Sequence, residues 1–491
     1  MARPRFEPSP CSSPLEVPAL APSWVPLICS PADFPPALFE LAISQLIHHP
    51  EYNSTLILRS ETLDESNSNF PSFLPVFDGA EILNNVHRRI LPRRPGRDGP
   101  LEQHCTLHGT DSVVHTLVLT PILADGGELP YYHPPVSHLA FRYISTSPPA
   151  IRIEVVLLRE TPTDPGSRIY RTCLALLDTL HRYGWGALTN YKKRVQHDCL
   201  VPRDAYQDLY LVMRDRFNHL VDTWVESTDP RKHVYEDIAI ATFLILLWKD
   251  TYPALDVPAV PEDEPWRAWG RPTGGFLDFG CGNGLLTHLL LSCGYTGRGI
   301  DLRARQSWET YPPHTQSHLS VDAFDPCVLA SDAEPSVYTA HGQFIIANHA
   351  DELTPWTPLL ATRAQASGFL SIPCCAWAFD AKFERSARAK GGASLVPSGD
   401  DTALAATLNL GADGITSGYA QYRIWLARLT EYCGWEIECE VLRIPSTRNW
   451  ALVGRRRVGS DEEAQQNIAT ILHSIEERGV FKARTPEGKA H

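Results

Sequence analysis

A chain of 491 residues is long enough for two or more domains with an ample core. Its 43% hydrophobic and 21% charged content is that of a soluble globular protein, and its formal net charge of −13 argues against holding nucleic acid by global charge, without excluding a local basic face. The longest apolar run, residues 238–248, falls short of the roughly 20 residues a membrane span needs and reads as a buried helix.

The twelve cysteines form no CxxC pair and no Cys/His set with zinc-finger spacing. The adjacent pair Cys374-Cys375 is a poor framework for a disulfide or a tetrahedral site, so no metal is expected and the thiols read as reduced, in a cytosolic or nuclear compartment. No charged start precedes an apolar core, so no signal peptide is expected.

Residues 1–36 are proline-rich, which blocks helices and sheet ladders, and are expected to be extended and disordered. Residues 37–48 have helical spacing, and 105–158 read as strands, with 113–119 and 151–158 the most β-rich and a turn at Asp125-Gly126-Gly127. From 168 to 248 the period becomes helical, predicting helices over 170–183, 203–224 and 234–248. Prolines between 253 and 272 suggest a linker, with a boundary near 265. That organisation is an α+β N-terminal domain over 37–265, a second domain over 266–460, and a C-terminal helix and tail over 461–491. The second domain alternates strands (276–279, 298–302, 343–347, 368–372, 435–442, 450–455) with helices (285–292, 358–365, 419–432), the order of a doubly wound α/β sheet.

The sharpest signal is Phe276-Leu277-Asp278-Phe279-Gly280-Cys281-Gly282-Asn283-Gly284-Leu285, an apolar strand running into a glycine turn that opens a helix. Gly280, Gly282 and Gly284 can take backbone angles that side chains forbid and let a ligand approach the main chain. A second strand ends at Asp301, where an acid can accept both hydroxyls of a ribose. Asp322, with Ala323 and Phe324, sits where the next strand should end and could meet an adenine. A glycine turn alone is a weak signal, but here the strand, turn, helix, second strand and terminal acid arrive in order. Asp278, just before the glycines, favours S-adenosylmethionine over a nicotinamide cofactor, because dinucleotide folds prefer Gly-x-Gly-x-x-Gly.

Beside this motif stand Lys232-His233-Val234-Tyr235-Glu236-Asp237-Ile238-Ala239-Ile240-Ala241, Gly299-Ile300-Asp301-Leu302-Arg303-Ala304-Arg305, Asn348-His349-Ala350-Asp351-Glu352-Leu353-Thr354-Pro355-Trp356, Ile372-Pro373-Cys374-Cys375 and Arg443-Ile444-Pro445-Ser446-Thr447-Arg448-Asn449-Trp450. On these stretches the chain, from about 130 to 457, resembles the tRNA (uracil-O(2)-)-methyltransferases of fungi and metazoa. The resemblance implies a Rossmann-like class I methyltransferase domain, S-adenosylmethionine as cofactor, and 2′-O-methylation of uridine 44 in serine tRNA in the cytoplasm.

In such a domain the loop after the fourth strand faces the departing methyl group, which makes Asn348 and Asp351 catalytic candidates, with a helix-capping role as the structural alternative. Lys382 is a further candidate, equally readable as a solvated face. Cys374 and Cys375 read as pocket wall rather than nucleophile, because a ribose oxygen needs no covalent step. Asp278, Gly280, Gly282, Asn283, Gly284, Asp301, Asp322 and Ala323 are the expected cofactor set. Phosphate contacts are expected from basic clusters: Lys192, Lys193 and Arg194; Arg443, Arg448, Arg455, Arg456 and Arg457; and Arg88, Arg89, Arg93, Arg94 and Arg97. Glu236 and Asp237, in a helix first turn, read as structural. Two other readings stay open: a non-catalytic methyltransferase-like subunit of an RNA-processing complex, and a methyltransferase acting on a small molecule or protein.

Overall fold

The computed structural model describes residues 3–11, 24–75, 77, 79–123, 127–158, 161–191, 196–257, 259–329, 337–338, 340–379, 381–383, 396, 401–410 and 417–478. The chain divides into two compact units, Met1–Lys192 and Lys193–His491.

The first unit is an eight-stranded antiparallel sheet with two helices. In chain order it comprises β1 (Ser9–Pro10), β2 (Val25–Pro31), α1 (Phe39–His48), β3 (Ile57–Ser66), β4 (Glu81–Pro92), β5 (Leu101–Thr110), β6 (Val113–Ile122), β7 (Val136–Ile144), β8 (Ala150–Leu157) and α2 (Arg168–Leu188). The sheet order is β1-β2-β8-β7-β6-β5-β4-β3, so all but one of the neighbouring pairs are consecutive hairpin or meander partners. Asp111 and Ser112, both with positive φ, make the two-residue turn between β5 and β6, a geometry that matches the strand twist. Apolar side chains of α1, α2 and one sheet face share a single core that includes Phe39, Ile43, Phe141, Ile153 and Leu177.

Two expectations are corrected here. Within the proline-rich start, Val25–Pro31 is a strand hydrogen-bonded to β8, and Pro26 falls at a register shift where no ladder N–H is required. The arginines of β4 are not a free cationic face. Arg88 is buried and donates to Gln103 Oε1 and to the carbonyls of Leu46 and Ile47 at the end of α1, while Arg89 pairs with Glu102 at 2.7 Å.

The second unit comprises α3 (Arg203–Phe217), α4 (Pro230–Thr251), β9 (Phe276–Phe279), α5 (Leu285–Ser292), β10 (Gly297–Asp301), α6 (Pro313–Gln316), β11 (Leu319–Val321), β12 (Phe344–Asn348), α7 (Trp356–Arg363), β13 (Gly368–Ile372), β14 (Trp377–Ala378), β15 (Ala381–Lys382), α8 (Asp401–Thr407), α9 (Gly418–Tyr432), β16 (Glu438–Val441), β17 (Trp450–Gly454) and α10 (Asp461–Arg478). Seven strands form one sheet in the order β11-β10-β9-β12-β13-β17-β16, parallel except for β17, which runs antiparallel to both neighbours. β9 and β12 pair in parallel at the centre, and the strand order turns back between them.

The unit begins well before the expected boundary near 265 because α3 and α4 pack into the core of the second unit. From Ile238 to Trp248 every residue of α4 is buried, and the helix packs with α5 into the core on one face of the seven-stranded sheet. Trp248 is fully buried against Phe276, Tyr295 and Phe344. Truncating a buried tryptophan costs about 3–5 kcal/mol. Trp248→Ala should therefore lower the urea midpoint of the second unit's unfolding, followed by fluorescence and circular dichroism, and an unchanged midpoint would refute this role for α4.

Candidate active site

β9 is buried between β10 and β12, so its register fixes where its last residues emerge. The chain then turns into α5 through Gly280, Gly282 and Gly284, all with positive φ (83°, 53° and 74°), which explains glycine at each. A Cβ on Gly282 would meet nothing within 4 Å, so its outer side is open space, whereas one on Gly284 would press on Leu319 and Trp308. The turn is held from several sides. Gly282 N–H donates to Asp301 Oδ2 at 2.8 Å, the Trp308 indole N–H to Gly282 O at 2.9 Å, and Ser307 Oγ and Tyr311 OH to Asn283 O at 2.9 and 3.1 Å. The Asn283 side chain accepts from Leu285 N–H, so it builds the start of α5.

Behind the turn lies a group of acids. Asp278 is 1% exposed and accepts from Thr287 Oγ1 at 2.7 Å. Burial, with the charge of Asp301 adding to it, pushes the Asp278 carboxyl up to about 7, against the hydrogen bonds from Thr287. Asp237 of α4 is buried beside it, and Asn348 Nδ2 donates to it at 3.4 Å. Burial first, then the charges of Asp278 and Glu236, raises the Asp237 carboxyl well above the usual range. Glu236 accepts from or pairs with His349 Nε2 at 3.1 Å. Among the described residues no lysine or arginine pairs with Asp237 or Asp278. Sequence reasoning missed Glu236 and Asp237 as site residues. Their signal was two acids just ahead of the apolar run 238–248, which reads as a helix first turn although α4 starts six residues earlier at Pro230 with Asp229 as its cap.

β12 ends at Asn348, and His349 and Asp351 take positive φ (52° and 45°) as the chain doubles back toward α7. Asn348 Oδ1 and His349 Nδ1 are buried polar atoms without a partner among the described residues. Asp351 is reached by two thiols from the end of β13: Cys374 Sγ donates to Asp351 Oδ1 at 3.0 Å, and one donor atom each of Asp351, Cys374 and Cys375 lies within 4.8 Å of the others. Burial, then the Asp351 carboxylate, pushes the Cys374 thiol up, and for Cys375 the Asp351 hydrogen bond is the larger cause. Lys382 is exposed on β15 and acts electrostatically on Cys375. Asp322 follows β11, accepts from Ala323 N–H at 2.8 Å and interacts with Tyr338, while Phe324 packs edge-on against Phe279.

The cationic residues separate into different roles. Lys192, Lys193 and Arg194 lie outside the described residues. Arg455 is held by Glu438 at 2.6 Å and Asp250 at 3.0 Å and is only 12% exposed, which corrects the expectation of a free cation there. Arg456 pairs with Glu436, Arg457 with Asp461, and Arg443 with Asp198. Arg448 is exposed and lies over the Tyr419 ring, 3.9 Å from its centroid, and Tyr419 OH donates to Pro373 O, next to Cys374.

Comparison with known proteins bears on both units. Residues 5–194 match a family model described as the TRM44-like, N-terminal bet v1-like domain, and residues 200–261 and 266–326 match one described as a predicted AdoMet-dependent methyltransferase. The chain is 35% identical over 480 residues to the tRNA (uracil-O(2)-)-methyltransferase of Neurospora crassa, covering 89% of this chain and 88% of that protein. It is 36% identical over 476 residues to the Schizosaccharomyces pombe protein of the same name, covering 90% and 87%. The Yarrowia lipolytica protein of that name is 30% identical over 541 residues, covering 93% and 94%. No solved structure matches the chain.

The buried acids make a prediction that needs no ligand. Asp278 keeps its proton in the folded chain up to about 7, whereas in the unfolded chain a carboxyl loses it near pH 4. Between these values the unfolded state binds fewer protons, so this group's contribution to stability declines as pH rises from about 4 to about 7 and is constant above. Urea unfolding of the cofactor-free chain across that window should show a shallower decline in Asp278→Asn than in the parent. Equal slopes would mean that Asp278 is ionised throughout.

Proposed function

The chain belongs to the tRNA (uracil-O(2)-)-methyltransferase family, and on that premise we propose that it transfers a methyl group from S-adenosylmethionine to the ribose 2′-hydroxyl of a uridine in tRNA. The observation that carries this reading is the open cradle at Gly282, its N–H held by Asp301, at the point where the strand order reverses between β9 and β12. Ligands of open α/β sheets bind at such a point, beyond the carboxyl ends of the strands. The strand order with its single antiparallel member supports a Rossmann-like class I methyltransferase domain.

The residues present fit the cofactor. Two buried carboxylates without a cation, Asp237 and Asp278, suit an α-ammonium group, since a buried charge is stable only when paired. Asp301 at the end of β10 would accept from the ribose hydroxyls, and Asp322, Ala323 and Phe324 would line the adenine. When bound, the cofactor supplies an electrophilic methyl group on a sulfonium.

The chain's own work is then alignment and proton handling. The loop after β12 offers Asn348 and Asp351 to an acceptor, and Asp351 is exposed and held at positive φ, where it can accept from a hydroxyl. A ribose hydroxyl is a weak acid, so holding it in line contributes more than removing its proton. Arg448, stacked on Tyr419 beside the Pro373–Cys374 end of β13, is the cation best placed for a phosphate near the acceptor. Serine tRNA, uridine 44 and a cytoplasmic location complete the reading by family likeness.

Mass analysis of tRNA nucleosides after incubation with isotopically labelled S-adenosylmethionine tests it directly, and a label on the uracil ring or on no nucleoside would overturn it. Asp301→Ala and Gly282→Val should each weaken cofactor binding in calorimetry, the former by about 1.5–3 kcal/mol per lost hydrogen bond to the charged acceptor. Asp351→Ala should lower turnover roughly 10²-fold, within the range of a positioned acid–base group. Arg448→Ala should weaken tRNA binding and reduce the salt slope by about one phosphate contact while leaving cofactor affinity intact.

A further inference from the structure

We propose that Asp351, Cys374 and Cys375 form a zinc site beside the acceptor position, an inference that rests on the methyl-transfer reading above. On a strand, adjacent residues point to opposite faces, which is why neighbouring cysteines look unsuited to one ion. β13 ends at Ile372, however, and the chain bends at Cys375, so both sulfurs lie outside the pleat and turn toward Asp351. Three donor atoms from the ends of two central strands converge within 4.8 Å of one another. Tetrahedral zinc, with bonds of about 2.3 Å to sulfur and about 2.0–2.2 Å to oxygen, sets its donors roughly 3.4–3.8 Å apart, so small side-chain rotations complete the set.

The donor chemistry selects the metal. Two thiolates and one carboxylate are too soft for magnesium or calcium, which take oxygen ligands, and suit zinc. Three protein ligands with an open fourth position is the pattern of a catalytic rather than a structural zinc. That position faces outward, since Asp351 and Cys375 are exposed, and Lys382 beside Cys375 offsets the net negative charge of the liganded ion. The backbone of Asp351 is held at φ 45°, a constraint of the kind that gathers where a side chain must be aimed.

A zinc ion there answers the weak point of the reaction. A ribose hydroxyl is far too weak an acid for a lone carboxylate to deprotonate it usefully near neutral pH. As the fourth ligand, the hydroxyl oxygen would form a bond to zinc and lose its proton to solvent at a much lowered pKa, with no change of oxidation state. The cysteines would then be ligands and not nucleophiles, and Asp351 would hold the acceptor through the metal.

The test uses the full chain, purified without a metal-binding tag, with zinc measured by mass spectrometry and cobalt(II) as a spectroscopic probe. The expected result is about one zinc per chain, as one tetrahedral set would hold, and a thiolate-to-cobalt charge-transfer band in the near ultraviolet. Cys374→Ser and Cys375→Ser should each lower zinc affinity at least about 10-fold, and the double variant and Asp351→Asn should lose the cobalt band while binding S-adenosylmethionine normally. Chelator treatment should abolish tRNA methylation, and zinc should restore it. Full methylation by zinc-free protein, or zinc retained in the double variant, would overturn the site and leave the methyltransferase reading standing. Zinc held by these residues in a chain that methylates no tRNA would establish the site and sink that reading instead.

Discussion

The site depends on the parting of two central strands. β9 and β12 are parallel neighbours, but β10 continues the sheet to one side of β9 and β13 continues it to the other side of β12. The segments leaving β9 and β12 touch at Gly280 and Ala350 and then diverge in connectivity, one to β10 and the other to β13, the kind of reversal beyond whose strand ends ligands of open sheets bind. At that reversal Gly280 to Gly284 follow β9 and Asn348 to Asp351 follow β12, with the buried acids Asp278 and Asp237 beneath them. Such a floor is expensive, because two buried acids without a cation must stay protonated or carry an unpaired buried charge, and a sequence under selection for stability alone would not keep them. Local rules broken at one spot, with regular structure all around, mark where function is located.

How much of this was legible in the sequence follows from how local each feature is. The β9–turn–α5–β10 unit spans 26 residues, Phe276 to Asp301, and its glycines, apolar strand and terminal acid are legible as elements because the bonds that fix the turn come from Asp301 within it and from Ser307, Trp308 and Tyr311 just beyond it. The boundary near 265 was placed too late because α4 is buried on every side from Ile238 to Trp248, a pattern that says buried but not in which core. The strand Val25–Pro31 hid among prolines that sit at a bulge and at its end, positions that composition cannot distinguish from loop. The pairing within the basic run was hidden for one reason: Arg455 meets Asp250, 205 residues away, and Arg443 meets Asp198, 245 residues away, whereas Arg448 stays exposed over the Tyr419 ring. The approach of Cys374 and Cys375 to Asp351 was equally hidden, since the bend that turns both thiols to it leaves no mark on residue spacing.

The placement of charge also bears on how the proposed reaction can run. A sulfonium is positive before transfer and its thioether product is neutral, so a carboxylate beside the sulfur would stabilise the starting state more than the transition state and slow the step. Acids in a methyltransferase site help only if their partner charge persists through the reaction, as that of an α-ammonium does. The geometry respects this division. Asp278 and Asp237 lie behind the glycine turn on the floor of the cleft, linked to α5 by Thr287 and to β12 by Asn348, while the walls near the acceptor loop offer main chain, the Asn348 amide and one exposed carboxylate. In the proposed reaction, binding strength would be drawn from a charge that the chemistry leaves untouched, and the rate from a hydroxyl held in line at the loop after β12.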